Sequence, residues 1–120
     1  MNSPRRTDKM RVHANDGISA QAKDSLTEEG FKVTTDHVPQ DQLVAFINHE
    51  HVEVLLVRSA TKVRRELIDA CPTLKLIGRG GVGLDNIDVA YAKDKGIPVI
   101  NTPASSSISV AELVMAHLFG

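Results

Sequence analysis

A chain of 120 residues has room for one folded domain and excludes a complete two-domain enzyme. Apolar residues make up 42% and charged residues 24%, which fits a soluble globular class and excludes a disordered or collagen-like one. With 14 Lys and Arg against 15 Asp and Glu the formal charge is −1, so no field draws the chain to nucleic acid or an anionic membrane.

No apolar run approaches the ~18 residues of a membrane-spanning helix. Residues 1–9 are polar and aperiodic, the pattern of a mobile leader and not of a secretory signal. Folded structure is expected from Met10. Met10 to Ala14 reads as a first strand closed by the turn cluster Asn15-Asp16-Gly17. Ile18, Ala22 and Leu26 repeat at helical spacing, with Gly30 placed to end the helix. Phe31 and Val33 alternate with polar residues as a second strand. Pro39 stands as the first residue of a helix whose inward stripe is Leu43, Phe46 and Ile47. Val52 to Val57 is almost wholly apolar, the mark of a parallel strand covered on both faces. Val63, Leu67 and Cys71 repeat as a helix until Pro72. Leu74 to Ile77 is a fourth strand. Asp88 caps a helix carrying Val89 and Ala92 and closed by Gly96. Ile97 to Ile100 is a fifth strand, and Pro98 inside it demands a sheet edge.

The final segment opens on Ser109-Val110-Ala111-Glu112, a capping-box pattern. The helix it announces runs into Gly120. Its apolar positions cover too much of the surface for one stripe, so part of its partner surface is expected outside this chain. Strands alternating with helices imply right-handed βαβ units and a parallel sheet. With the third strand in the middle and the proline strand at an edge, the order is 2-1-3-4-5. This is a flavodoxin-like, doubly wound α/β fold ending in a truncated interdomain helix.

Ligands of such sheets bind outside the carboxyl ends of the strands. The third strand ends in Arg58-Ser59, the fourth in Gly78-Arg79-Gly80-Gly81-Val82-Gly83, the fifth in Asn101-Thr102. Neighbouring strands put Arg58 and Arg79 over one crevice. Their guanidinium forks match carboxylate and phosphate. The Ser59 hydroxyl and the backbone N–H groups of the glycine turn add donors. Together they suit a small, multiply anionic molecule. The alternative is that each arginine pairs with a nearby acid such as Asp85 or Asp88. Gly78 to Gly83 also satisfies G-x-G-x-x-G after a strand. A turn follows its third glycine where the fingerprint needs a helix, and Asn101 stands where the ribose-binding acid belongs.

Other candidates are weaker. In His49-Glu50-His51 with Glu53, His49 and His51 could share a side of an extended segment but no third ligand is fixed in position, so no metal site is assigned and a solvated helix end is expected. Cys71 falls on an inward stripe with no histidine placed to activate it, a packed small apolar residue. As a lone cysteine it forms no internal disulfide and suits a reducing cytoplasm. His13, His37 and His117 carry no pattern.

Three stretches in this order and spacing are specific: Val57-Arg58-Ser59-Ala60-Thr61-Lys62-Val63; Leu74 through Gly78-Arg79-Gly80-Gly81-Val82-Gly83 to Asp88; and Val99-Ile100-Asn101-Thr102-Pro103 followed by Ser109-Val110-Ala111-Glu112. They resemble the N-terminal part of the D-isomer-specific 2-hydroxyacid dehydrogenases, over nearly the whole chain. The first stretch resembles most the branch acting on a phosphorylated 2-hydroxy acid. The resemblance implies a substrate-binding domain over residues 10–102, with residues 103–120 leading into a nucleotide-binding domain that this chain lacks. It implies substrate contacts from Arg58, Ser59, Arg79, Gly80, Gly81 and Asn101, and a contact of Val82 with the nicotinamide end of NAD. The family's own dinucleotide fingerprint and its catalytic arginine, glutamate and histidine are expected downstream of Gly120. No catalytic residue is therefore assigned among these 120, and the chain alone is expected to be inactive. A homo-oligomer is expected only of a complete enzyme. A free-standing anion-binding or regulatory module is the competing reading.

Overall fold

A computed structural model describes residues 10–80, 86–102 and 110–119. The leader, Gly81 to Asp85, the capping-box residue Ser109 and Gly120 lie outside the described residues. The expected run of the last helix into Gly120 is thus followed only as far as Phe119. Five parallel strands, β1 (Arg11–Ala14), β2 (Lys32–Thr34), β3 (Val52–Val57), β4 (Leu76–Gly80) and β5 (Val99–Thr102), form one sheet in the order β2-β1-β3-β4-β5. The helices are α1 (Ala20–Glu28), α2 (Gln40–Glu50), α3 (Arg65–Ala70), α4 (Val89–Asp94) and α5 (Val110–Phe119). The doubly wound α/β reading and its strand order hold. None of these helices is long and apolar enough to cross a membrane.

Side chains alternate across the sheet and divide the interior in two. Val52, Leu55, Val57 and Ile77 pack under α2, α3 and α4 with Leu43, Ile47, Leu67 and Ala92. Val12, Ala14, Val54, Leu56, Leu76 and Ile100 pack on the other face with Leu26 of α1 and Ala111 and Val114 of α5. A register shift lets Arg11 oppose Val52 and Val12 oppose Val54. The extra residue, Glu53, brings Val52 onto the same side as Leu55.

Several boundaries differ from expectation. Pro39 is the N-cap of α2, with ψ at 147°, and not its first turn. Val63 lies outside α3 because its backbone bridges to Ile87: Val63 N–H donates to Asn86 O at 2.8 Å and Asp88 N–H to Val63 O at 2.9 Å. Strand β4 begins at Leu76, since Leu74 N–H is spent on a turn to Cys71 O. It then continues through Gly78 and Arg79, paired with both neighbours, to Gly80, paired with Thr102 of β5. Pro98 precedes β5, which lies at the sheet edge. Asp88 does cap α4, accepting from Tyr91 N–H at 3.1 Å. Gly96 at φ 81° follows the helix as expected.

Candidate functional site

In a parallel sheet all strand carboxyl ends share one edge. Val57 opposes Arg79, and Arg79 opposes Asn101. Arg58 therefore follows the residue directly across from Arg79, and the segments carrying Arg58, Arg79 and Asn101 lie side by side. Arg58, Ser59 and Asn101 are exposed, while Arg79 and Gly80 are half-buried. Gly81 and Val82 lie outside the described residues.

The 58–63 loop is held from several sides. The Asp16 carboxylate, whose side chain is 5% exposed, accepts from Arg58 N–H at 2.7 Å and Thr61 N–H at 3.1 Å through Oδ2. Its Oδ1 accepts from the Thr61 hydroxyl at 2.7 Å. That hydroxyl accepts in turn from Asn15 Nδ2 at 2.8 Å. From α2, the Gln40 amide donates to Lys62 O at 2.8 Å and accepts from Lys62 N–H at 2.9 Å. On the far side, buried Asn86 donates through Nδ2 to Arg58 O and Thr61 O, each at 2.6 Å. Its Oδ1 accepts from Arg79 Nε–H at 2.8 Å. One amide thus connects the Arg79 guanidinium to the loop that carries Arg58. Asp88, an acid considered as an arginine partner, is 3.3 Å from Arg65 Nε.

Behind the loop, Asn15 also accepts through Oδ1 from Val38 N–H at 2.8 Å and from His13 Nε2–H at 2.9 Å. An amide oxygen only accepts, so His13 carries its proton on Nε2 and its Nδ1 accepts from the Thr34 hydroxyl at 2.6 Å. His13 is fully buried and tilted against Phe46, ring centroids 4.5 Å apart. Desolvation holds its pKa below the ordinary imidazole value. His37 donates through Nδ1 to Asn15 O at 2.8 Å. The strand-end letters Asn15-Asp16 were visible as a turn, and Asn86 as part of another. Their partners lie up to 46 residues away, and no spacing in the sequence announces them.

The remaining candidates resolve simply. His49 is exposed and bonds Glu50 at 3.2 Å, His51 ends α2 in the left-handed region, and among the described residues no cluster suits a metal ion. Cys71 is buried, and desolvation pushes its thiol up to about 11. Of the Gly78 to Gly83 string, Gly78 and Gly80 belong to β4, Gly81 to Gly83 lie outside the described residues, and the next described helix starts at Val89; a dinucleotide pyrophosphate needs a glycine turn opening directly onto a helix N-terminus.

The fold and the strand-end edge define a doubly wound α/β domain with cationic and amide groups gathered over adjacent strands. Residues 12–117 match the family model of the D-isomer specific 2-hydroxyacid dehydrogenase catalytic domain, and the chain belongs to that family. A hydroxypyruvate reductase of Thermotoga maritima is 51% identical over 106 residues, 88% of this chain and 34% of the relative. A D-3-phosphoglycerate dehydrogenase of Methanocaldococcus jannaschii is 43% identical over 106 residues, 88% of this chain and 20% of the relative. The NAD-bound 3-phosphoglycerate dehydrogenase structure from Entamoeba histolytica superposes with a TM-score of 0.65 at 26% identity, covering 78% of this chain and 33% of that one. The chain thus spans about a third or less of the relatives it matches.

Proposed function

We propose that this chain is the substrate-binding part of an NAD-dependent dehydrogenase that oxidises a phosphorylated 2-hydroxy acid. The activity that fits best is that of D-3-phosphoglycerate dehydrogenase, which opens serine synthesis by converting 3-phosphoglycerate to 3-phosphohydroxypyruvate. Residues 10–102 form the substrate-binding domain, and residues 103–120 lead toward a nucleotide-binding domain, with the catalytic groups downstream of Gly120. NAD supplies the hydride acceptor, and Val82 is the residue of this chain assigned to its nicotinamide end. The carrying observation is the β3–β4 register, with Val57 opposite Arg79, which supports two guanidinium groups serving one anion. A carboxylate and a phosphate together suit two cations better than an unphosphorylated acid does. Ser59, Gly80, Gly81 and Asn101 complete the proposed contacts.

A second reading, reduction of unphosphorylated hydroxypyruvate, is favoured by the 51% identity to a hydroxypyruvate reductase. Calorimetric titration of the 120-residue chain with 3-phosphoglycerate and with D-glycerate separates the two. The first reading predicts saturable binding of the phosphorylated acid, at least about tenfold tighter than D-glycerate, the scale of one charge-assisted hydrogen bond. Equal affinities favour the second. The same chain is expected to form no NADH from 3-phosphoglycerate and NAD, because hydride transfer needs a held cofactor and a proton acceptor in reach. Turnover would contradict its role as a substrate-binding part only.

A further inference from the structure

We propose that Asn86 is a positioning residue that sets the Arg79 guanidinium and the Arg58 loop as one unit, through a neutral acceptor that takes nothing from the arginine's charge. The proposal deepens the anion-binding reading above and rests on it for the ligand. The geometry stands independently. Asn86 is 8% exposed and uses its amide in both directions. Nδ2 donates to Arg58 O and Thr61 O at 2.6 Å each, and Oδ1 accepts from Arg79 Nε–H at 2.8 Å. Its backbone carbonyl accepts from Val63 N–H at 2.8 Å, so it is sewn into the parallel bridge between Val63 and Ile87. A free arginine side chain samples many rotamers, and a ligand that orders it bears that entropy. A bond at Nε fixes the plane of the fork.

The choice of amide over carboxylate is the informative part. An aspartate would hold Nε–H more strongly. It would also place a negative charge beside the cation and within reach of any bound anion. It would offer no donor to Arg58 O or Thr61 O. An asparagine orients the fork and ties down the loop without that opposing charge.

Two variants of the 120-residue chain separate these roles. Asn86→Ala removes both halves of the amide, and Asn86→Asp keeps the acceptor and removes the donors. The ligand-independent readout is NMR: hydrogen exchange of Arg79 Nε–H, and the carbonyl 13C shifts of Arg58 and Thr61, the groups that accept from Asn86 Nδ2. Expected in Asn86→Ala is faster exchange at Arg79 Nε–H and a shift of both carbonyl signals. Expected in Asn86→Asp is a retained Arg79 Nε–H with both carbonyl signals shifted. Unchanged Arg79 Nε–H protection in a folded Asn86→Ala overturns the proposal. Should Asn86→Ala not fold, Arg58 and Thr61 carbonyl shifts in Asn86→Asp equal to those of the parent chain overturn it instead.

The ligand readout is affinity for 3-phosphoglycerate, corrected for the folded fraction. Asn86→Asp should weaken binding by at least about tenfold despite its intact Nε bond. A purely structural residue would leave that corrected affinity unmoved, and such a result overturns the charge argument. If the parent chain binds no 3-phosphoglycerate, the functional reading above fails, while the NMR data still decide the positioning role.

Discussion

Burial keeps His13 neutral, and that has a consequence for stability. Its pKa is lowered chiefly by desolvation, against the opposing pull of the Asn15 hydrogen bond. The unfolded chain takes up a proton near the ordinary value of 6.5 and the folded chain only at lower pH. Below 6.5 the unfolded state therefore binds more protons, and stability falls as pH falls. Urea midpoints should drop between pH ~7.5 and ~5, and the drop should shrink in His13→Gln; an unchanged slope in that variant would remove His13 from the account. Cys71 gives a second residue-scale test. With its thiol pushed up to about 11 by burial, the native chain should react with a thiol reagent only slowly near neutral pH and completely once unfolded. Rapid native labelling would contradict the burial. Cys71 was legible from its place on an apolar stripe. His13 was not, because Thr34 and Phe46 come from β2 and α2 and nothing in the letters Val-His-Ala signals them.

Strands and helices were largely legible because each carries its own periodicity. Val52 to Val57 reads as a doubly covered strand from composition alone, and Asp88 and Gly96 bracket α4 as capping chemistry requires. Boundaries failed where a hydrogen bond from elsewhere decided them. Val63 stands four residues before Leu67 and mimics a helical stripe, yet its backbone pairs with the segment around Ile87. The 58–63 loop shows the same limit on a larger scale: its conformation is written by Asp16, Gln40 and Asn86, none of them adjacent in sequence. Asp16 takes the larger share, with Arg58 N–H, Thr61 N–H and the Thr61 hydroxyl on one carboxylate. Asp16→Ala would leave those donors without an acceptor and should cost about 2–4 kcal/mol in urea unfolding. A loss below about 0.5 kcal/mol, the scale of an inert surface change, would show that the loop holds its shape without that carboxylate.

At the scale of the molecule, a parallel sheet collects what the chain scatters. Residues 58, 79 and 101 reach one edge because β3, β4 and β5 are neighbours pointing the same way. This much was readable once the strand order was known, since right-handed crossovers leave few arrangements. The amide and carboxylate scaffold beneath the arginines was not. Apolar cores form on both faces, while the polar groups gather at the strand ends, where backbone is released from pairing and side chains can reach a ligand. Joint action of Arg58 and Arg79 on one anion, as proposed, is tested by the affinity of the 120-residue chain for 3-phosphoglycerate at low ionic strength, compared with Arg58→Ala, Arg79→Ala and the double variant. Each single change should weaken binding by at least about tenfold, and the double variant should bind no better than the weaker single one. A double variant that binds as tightly as the parent chain would contradict the claim.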